Sequence, residues 1–153
     1  GVAGLMRPGV RLGIDWGGAR IGVAACDPAG TLAYPVETVP AGPGAIARIQ
    51  ALVTEYEPCE LVLGLPRTLA GTESHAAASI RAAAGDLAVA LPGLPIRLVD
   101  ERLSTAAAAR QLGQAGRSIR RQRGVIDQAA AVAILESALA QERAIHEPPG
   151  EAV

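Results

Sequence analysis

A chain of 153 residues with no phenylalanine, whose whole aromatic set is Trp16, Tyr34 and Tyr56, must fill its interior with small aliphatic side chains. Half of its residues are hydrophobic and only 2% are aromatic. Such a core is built from Ala, Val, Leu and Ile, which suits helices stacked closely on a sheet. The length supports one domain, spanning 1–153 with short frayed termini, around a single sizeable core. The shortage of aromatics argues against a single-strand binder that stacks bases on an aromatic platform. With 19% charged residues and recurrent apolar periodicity, the chain folds rather than remaining disordered.

The periodicity sets the order of elements. Leu12, Ile14 and Trp16 alternate with Arg11, Gly13 and Asp15, and Gly17-Gly18 leads into a second strand over Ile21 to Cys26. Asp27-Pro28-Ala29-Gly30 is a turn signal, and Leu32, Tyr34 and Val36 alternate beyond it, giving an antiparallel meander. From Gly44 the period becomes helical, through Ile46, Ile49, Leu52, Val53 and Tyr56. Leu61-Val62-Leu63 reads as a covered central strand. A helix over about Ser74 to Ala90 and a fifth strand over Ile96 to Val99 follow. Ser104 or Thr105 caps the next helix, which fades at Gly113 to Gly116. A final helix is predicted from about Ile126 to Arg143, and Pro148-Pro149-Gly150 as a frayed tail. The order βββαβαβα gives a mixed five-stranded α/β sheet with helices on both faces.

The net charge of -1 excludes global attraction to nucleic acid, yet the charge is uneven. All basic residues are arginine. Arg102, Arg110, Arg117, Arg120, Arg121 and Arg123 lie between Glu101 and Asp127 with no acid among them. A phosphate-handling site and a solvated loop both account for this stretch. Cys26 and Cys59 have no metal-binding spacing, and reduced thiols are expected. Gly1 to Pro8 lacks the apolar region of a signal peptide. The purest apolar run, Ala129 to Leu135, is too short to span a membrane, so a cytoplasmic protein without membrane contact is expected.

Three acids stand where a carboxylate needs explaining. Asp15 lies on a hydrophobic strand, where a charge is costly unless paired or bound to metal. Turn amides or Arg20 are its ordinary partners, and a metal or phosphate site is the alternative. Glu101 closes the fifth strand, where parallel strands present ligand-binding residues. Its ordinary partner is Arg102 or Arg97, while Asp100 stabilises the following loop. Asp127 either caps the last helix or, sharing a face with Ala130, Ala131 and Ile134, turns toward the strand ends. Converging carboxylates repel one another until a cation joins them, and an all-oxygen set suits Mg²⁺ or Mn²⁺. Two such ions with substrate bound serve phosphodiester hydrolysis.

The blocks Leu12-Gly13-Ile14-Asp15-Trp16-Gly17, Arg20-Ile21-Gly22-Val23-Ala24, Gly64-Leu65-Pro66, Gly71-Thr72-Glu73, Asp100-Glu101-Arg102-Leu103-Ser104-Thr105 and Ile126-Asp127-Gln128-Ala129-Ala130 occur in that order. In them the chain resembles the YqgF/RuvX family, bacterial proteins similar to Holliday-junction resolvases and described as pre-16S rRNA nucleases. The resemblance, from about Leu12 to Glu136, implies a ribonuclease-H-like fold and catalytic, metal-holding acids at Asp15, Glu101 and Asp127. It also implies a basic mobile loop over Gln114 to Gly124 before the last helix. Arg20 matches the family's first-loop base, whereas Ala19 stands where Lys or Arg is common and Gly18 replaces a hydroxyl residue.

The expected activity is metal-dependent hydrolysis at the 5′ end of a ribosomal RNA precursor. Arg20, Arg102, Arg117, Arg120, Arg121 and Arg123 are the candidate nucleic-acid contacts. Cleavage of branched DNA and a non-catalytic role in ribosome assembly are the alternatives. An actin-like ATPase or sugar kinase is disfavoured, because only one glycine-turn phosphate motif is present. Homodimerisation is left open, since no interface stripe stands out.

Overall fold

The computed structural model describes residues 6–115 and 120–153, with the side chains of 112–115 and 120–127 outside that description. Alternation starts the sheet. β1 (Arg11–Trp16) runs antiparallel to β2 (Arg20–Cys26), which pairs with β3 (Ala33–Pro40). Pro35 and Pro40 are tolerated because β3 is an edge. Helix α1 (Ala45–Tyr56) then carries the chain across to β4 (Glu60–Leu65), parallel to β1, and α2 (His75–Ala90) leads to β5 (Ile96–Asp100), parallel to β4. A 3₁₀ turn over Glu101–Leu103 precedes α3 (Ala106–Ala115) and α4 (Arg120–Ile145). The sheet order is β3-β2-β1-β4-β5-β6, so β1 and β4 are central; every residue of β4 is buried, as are the first four of β1.

The mixed sheet with helices on both faces agrees with the sequence reading, and three local expectations change. A sixth strand, β6 (Glu151–Ala152), pairs antiparallel with β5 where a frayed tail was expected. The open row of backbone groups on β5 is the reason. Val153 N donates to the Ile96 carbonyl at 3.0 Å, and Arg97 donates to the carbonyls of Pro149 and Gly150 at 2.7 and 2.8 Å. The last helix begins at Arg120, not near Ile126. Arg and Gln are strong helix formers, and one glycine costs only about 1 kcal/mol. Consequently 114–115 and 120–124 are helical backbone rather than loop.

Each face has its own core. Leu12, Ile14, Ile21, Val23, Leu61, Leu63, Ile96 and Leu98 pack against Ile49 and Leu52 of α1 and Ile80 and Leu87 of α2. On the other face Ala24, Cys26, Val62 and Val99 meet Ala130, Ala131, Ile134 and Leu135 of α4 and Ala106 of α3. Gly13 lets α4 lie directly on β1: a Cβ there would stand 2.7 Å from Leu135 Cβ and 2.9 Å from the Ala131 carbonyl oxygen. α4 runs antiparallel to β1, with Glu142 bonded to Arg11 and earlier turns over Gly13, so its N-terminal half approaches the Asp15 end.

The β2–β3 connection is held by Asp27. Its carboxylate accepts from Leu32 N at 2.7 Å and from Thr31 N and Oγ1 at 2.8 and 2.7 Å. Those backbone and hydroxyl donors lower its pKa from 3.8 to about 2. A carboxyl depressed in the folded state stabilises above its unfolded pKa and loses that contribution as pH falls through the folded value. Between pH 3.8 and about 2, acid unfolding should therefore be less steep in Asp27→Ala than in wild type, with a lower urea midpoint at pH 7. Circular dichroism against pH, and against urea at pH 7, checks both; superimposable curves would remove Asp27 from the acid dependence.

Candidate active site

Strand polarity decides which side chains meet. Leu12 and Ile14 face α1 and α2, so Gly13 and Asp15 face α4. On β5, Ile96 and Leu98 likewise face α1 and α2, and the chain turns into the 3₁₀ segment with Glu101 buried. Asp15 and Glu101 thus arrive by separate routes at the carboxyl ends of β1 and β5, parallel strands on either side of β4. Both end on one guanidinium, that of Arg110 on α3.

The contact is dense. Arg110 Nε donates to Asp15 Oδ1 and Oδ2 at 3.1 and 3.2 Å, and its NH1 donates to Glu101 Oε2 at 2.9 Å. A single nitrogen, NH2, reaches both acids: Asp15 Oδ1 at 2.7 Å and Glu101 Oε1. The Asp15 and Glu101 side chains are 15% and 8% exposed, against 34% for Arg110, so the acids lie deeper than their partner. Burial pulls the Arg110 pKa down, but the hydrogen bonds it donates to Glu101 and Asp15 outweigh burial and leave it raised.

Gly64 on β4, paired with Val99 of β5 and lying against the Glu101 side chain, makes room for this arrangement. A Cβ on Gly64 would lie 2.6 Å from Ile134 Cδ1 and 3.1 Å from Glu101 Oε1. Ser104 fixes the entry to α3 by accepting from Ala106 N at 3.2 Å while donating to the Glu101 carbonyl at 2.9 Å. Ala106 is buried, and Arg110 one helical turn later shares its face, which aims the guanidinium inward.

The expected site residues are distributed as follows. Asp15 and Glu101 are brought together. Asp100 serves the loop: it accepts from Arg102 N at 2.9 Å and from Arg102 Nε and NH2, and those bonds hold its carboxyl below the usual range. Arg102 is therefore the partner of Asp100, not of Glu101, and Arg97 serves the C-terminal segment. Arg20 is exposed on β2, on the Asp15 face of the sheet by alternation with Ile21.

Asp127 does not cap a helix, because it lies seven residues inside α4. Helical position 127 is in register with 130, 131 and 134, all buried on the sheet. The side chains of Asp127, Arg120, Arg121 and Arg123, and all of Arg117, lie outside the described residues. Among the described residues no three His, Cys, Asp or Glu side chains gather as a metal site.

Arg110 belongs to the basic stretch that the sequence displays, yet its central place was missed. The available signal was small: a lone charge one turn after alanines on a face that must be buried.

The sequence model of one family, described as "RuvX: Holliday junction resolvase", matches residues 9–141. A protein of Streptomyces coelicolor named "Putative pre-16S rRNA nuclease" is 53% identical over 150 residues, covering 97% of this chain and 90% of the relative. One of the same name from Cutibacterium acnes is 56% identical over 135 residues, covering 88% and 84%. Among solved structures, RuvC of T. thermophilus in complex with a Holliday junction substrate superposes with a TM-score of 0.62 at 21% identity, over 92% of this chain and 99% of that one. That likeness shows the fold.

The packing at Gly64 has a direct consequence. Gly64→Ala must move Ile134 or Glu101, and overpacking of this kind costs about 1–3 kcal/mol. Urea unfolding should show a lowered midpoint; an unchanged one would mean that the two side chains have room to shift.

Proposed function

The chain belongs to the RuvX family, and from that premise we propose that it is a divalent-metal-dependent nuclease acting on a precursor of the small-subunit ribosomal RNA. The observation that carries the chemistry is the meeting of Asp15 and Glu101 on one cationic nitrogen at the carboxyl ends of β1 and β5. Two carboxylates that share a single cationic centre are suited to share a metal ion. Their donors are all oxygen, which fits Mg²⁺ or Mn²⁺. Asp15 and Glu101 would hold the ion, with Asp127 joining them from α4. With substrate bound, the same acids would hold two such ions.

Bound there, the metal supplies activation of water and a counter-charge for the phosphodiester. The chain's own part is positional. β1 fixes the backbone of Asp15, and the 3₁₀ turn seats Glu101 over Gly64. The low exposure of both acids strengthens their hold on any cation by limiting competing water. Arg20 and Arg102, with Arg117, Arg120, Arg121 and Arg123, supply the phosphate contacts that position a nucleic-acid backbone without reading its sequence.

The choice of RNA over a junction is supported by the names of the relatives, while the family description and the RuvC likeness favour branched DNA. Both substrates therefore enter the test. Wild type, Asp15→Asn and Asp127→Asn are assayed on a 5′-extended small-ribosomal-RNA precursor, a four-way DNA junction and an unrelated duplex, with Mg²⁺, Mn²⁺ or chelator.

Each substitution should fold and lose cleavage by more than about a hundredfold, beyond the ~10–100-fold cost of removing a group that only orients a ligand. Precursor trimming lost in both variants supports the proposal. Junction cleavage alone keeps the chemistry and changes the substrate. Cleavage that survives chelation and both substitutions sinks it.

A further inference from the structure

Resting on the divalent-metal reading of the site, we propose that Arg110 is a displaceable counter-ion. It holds Asp15 and Glu101 together before metal arrives, and a divalent cation must expel it to bind. Its guanidinium donates to both oxygens of each acid. The bridging NH2 occupies the point between the two acids that a shared cation would take, and two positive centres cannot sit there together. Metal entry and the Arg110 bridge therefore compete for the same place.

A second arginine on the same face shows what a permanent bridge looks like. At the opposite end of β1, Arg11 donates to Glu142 at 2.8 Å and to the Gly9 carbonyl at 2.8 Å, and its side chain is 1% exposed. Glu142 and Glu60 there also receive Arg7 from the outer side, with 39% of its side chain exposed, while Arg11 and both glutamates are sealed. Releasing Arg11 would require opening the core.

Arg110 is built differently. It sits at the outer side of its acids with 34% of its side chain exposed, on a helix whose next residue, Gln111, faces solvent. A rotation about its side-chain torsions takes the guanidinium out without unpacking Ala106. The released cation stays tethered beside the site, where a phosphodiester oxygen is its natural new acceptor. Arg110 is thus a positioning residue that keeps two like charges at bonding distance of a common point.

The test is Mn²⁺ alone, titrated by calorimetry into wild type, Arg110→Gln, Arg110→Lys and Asp15→Asn at fixed ionic strength. Arg110→Gln should bind Mn²⁺ more tightly by on the order of tenfold, the scale of the charged hydrogen bonds the metal no longer has to break. In chelator its thermal midpoint should fall below that of wild type, and saturating Mn²⁺ should close the gap. A merely structural arginine would not give tighter metal binding when removed.

Equal or weaker Mn²⁺ binding by folded Arg110→Gln overturns the proposal. Should the neutral variant fail to fold, Arg110→Lys decides: an ammonium has three donors against the guanidinium's five and cannot hold all four acid oxygens, so its Mn²⁺ binding should still tighten, and unchanged binding overturns the proposal. Asp15→Asn separates the two readings. If it binds Mn²⁺ as wild type does, the metal site fails and this competition with it; if it loses binding while Arg110→Gln gains none, only the competition fails.

Discussion

The seating of α4 on the glycine floor of the sheet is the contact on which the other features depend. Gly13 and Gly64 leave the sheet without Cβ atoms where Ala131, Ile134 and Leu135 press down. The short approach lets a helix of small side chains bury a face in a chain almost without aromatics. It also sets the height of the Glu101 carboxylate, because the Cβ missing from Gly64 would stand against both Ile134 and Glu101.

α4 also joins two ionic clusters on one face of the sheet. At its C-terminal half Glu142 locks to Arg7 and Arg11, beside Glu60, whose burial pushes its pKa up. At the other end of β1, Asp15 and Glu101 meet Arg110. The clusters use the same chemistry and differ in access. The sealed Arg11–Glu142 pair fixes the entry of the chain into β1, whereas Asp15 and Glu101 have no sealed arginine of that kind, only the partly exposed Arg110, which leaves a path for an ion. Removing one partner from a sealed pair strands a buried charge at a cost of about 3–5 kcal/mol.

Several elements were legible in the residues themselves. The alternation of Leu12, Ile14 and Trp16, the apolar Leu61-Val62-Leu63 and the helical spacing from Ile46 to Tyr56 gave strands and helices close to where they lie. Ser104 caps α3 as its type suggests. The start of α4 was misplaced because Gly113, Gly116 and Gly124 punctuate an arginine-rich stretch that has no apolar face to read. The two-residue β6 was invisible for a similar reason. Its stability comes from the open edge of β5, which belongs to another part of the chain.

By itself the sequence determined the alternating and helical periods, the aliphatic core, and the two acids at strand ends, because each depends on neighbours a few residues away. Which cation those acids share was decided only by the tertiary structure. Arg102, Arg97 and Arg20 are near in sequence or in type, but strand polarity turns Asp100 and Glu101 to different surroundings and gives Arg102 to Asp100. Arg110 reaches Asp15 across 95 positions because α3 folds back along α4 over the sheet. Linear spacing carries no record of such a meeting; the packing of helices on a common face creates it.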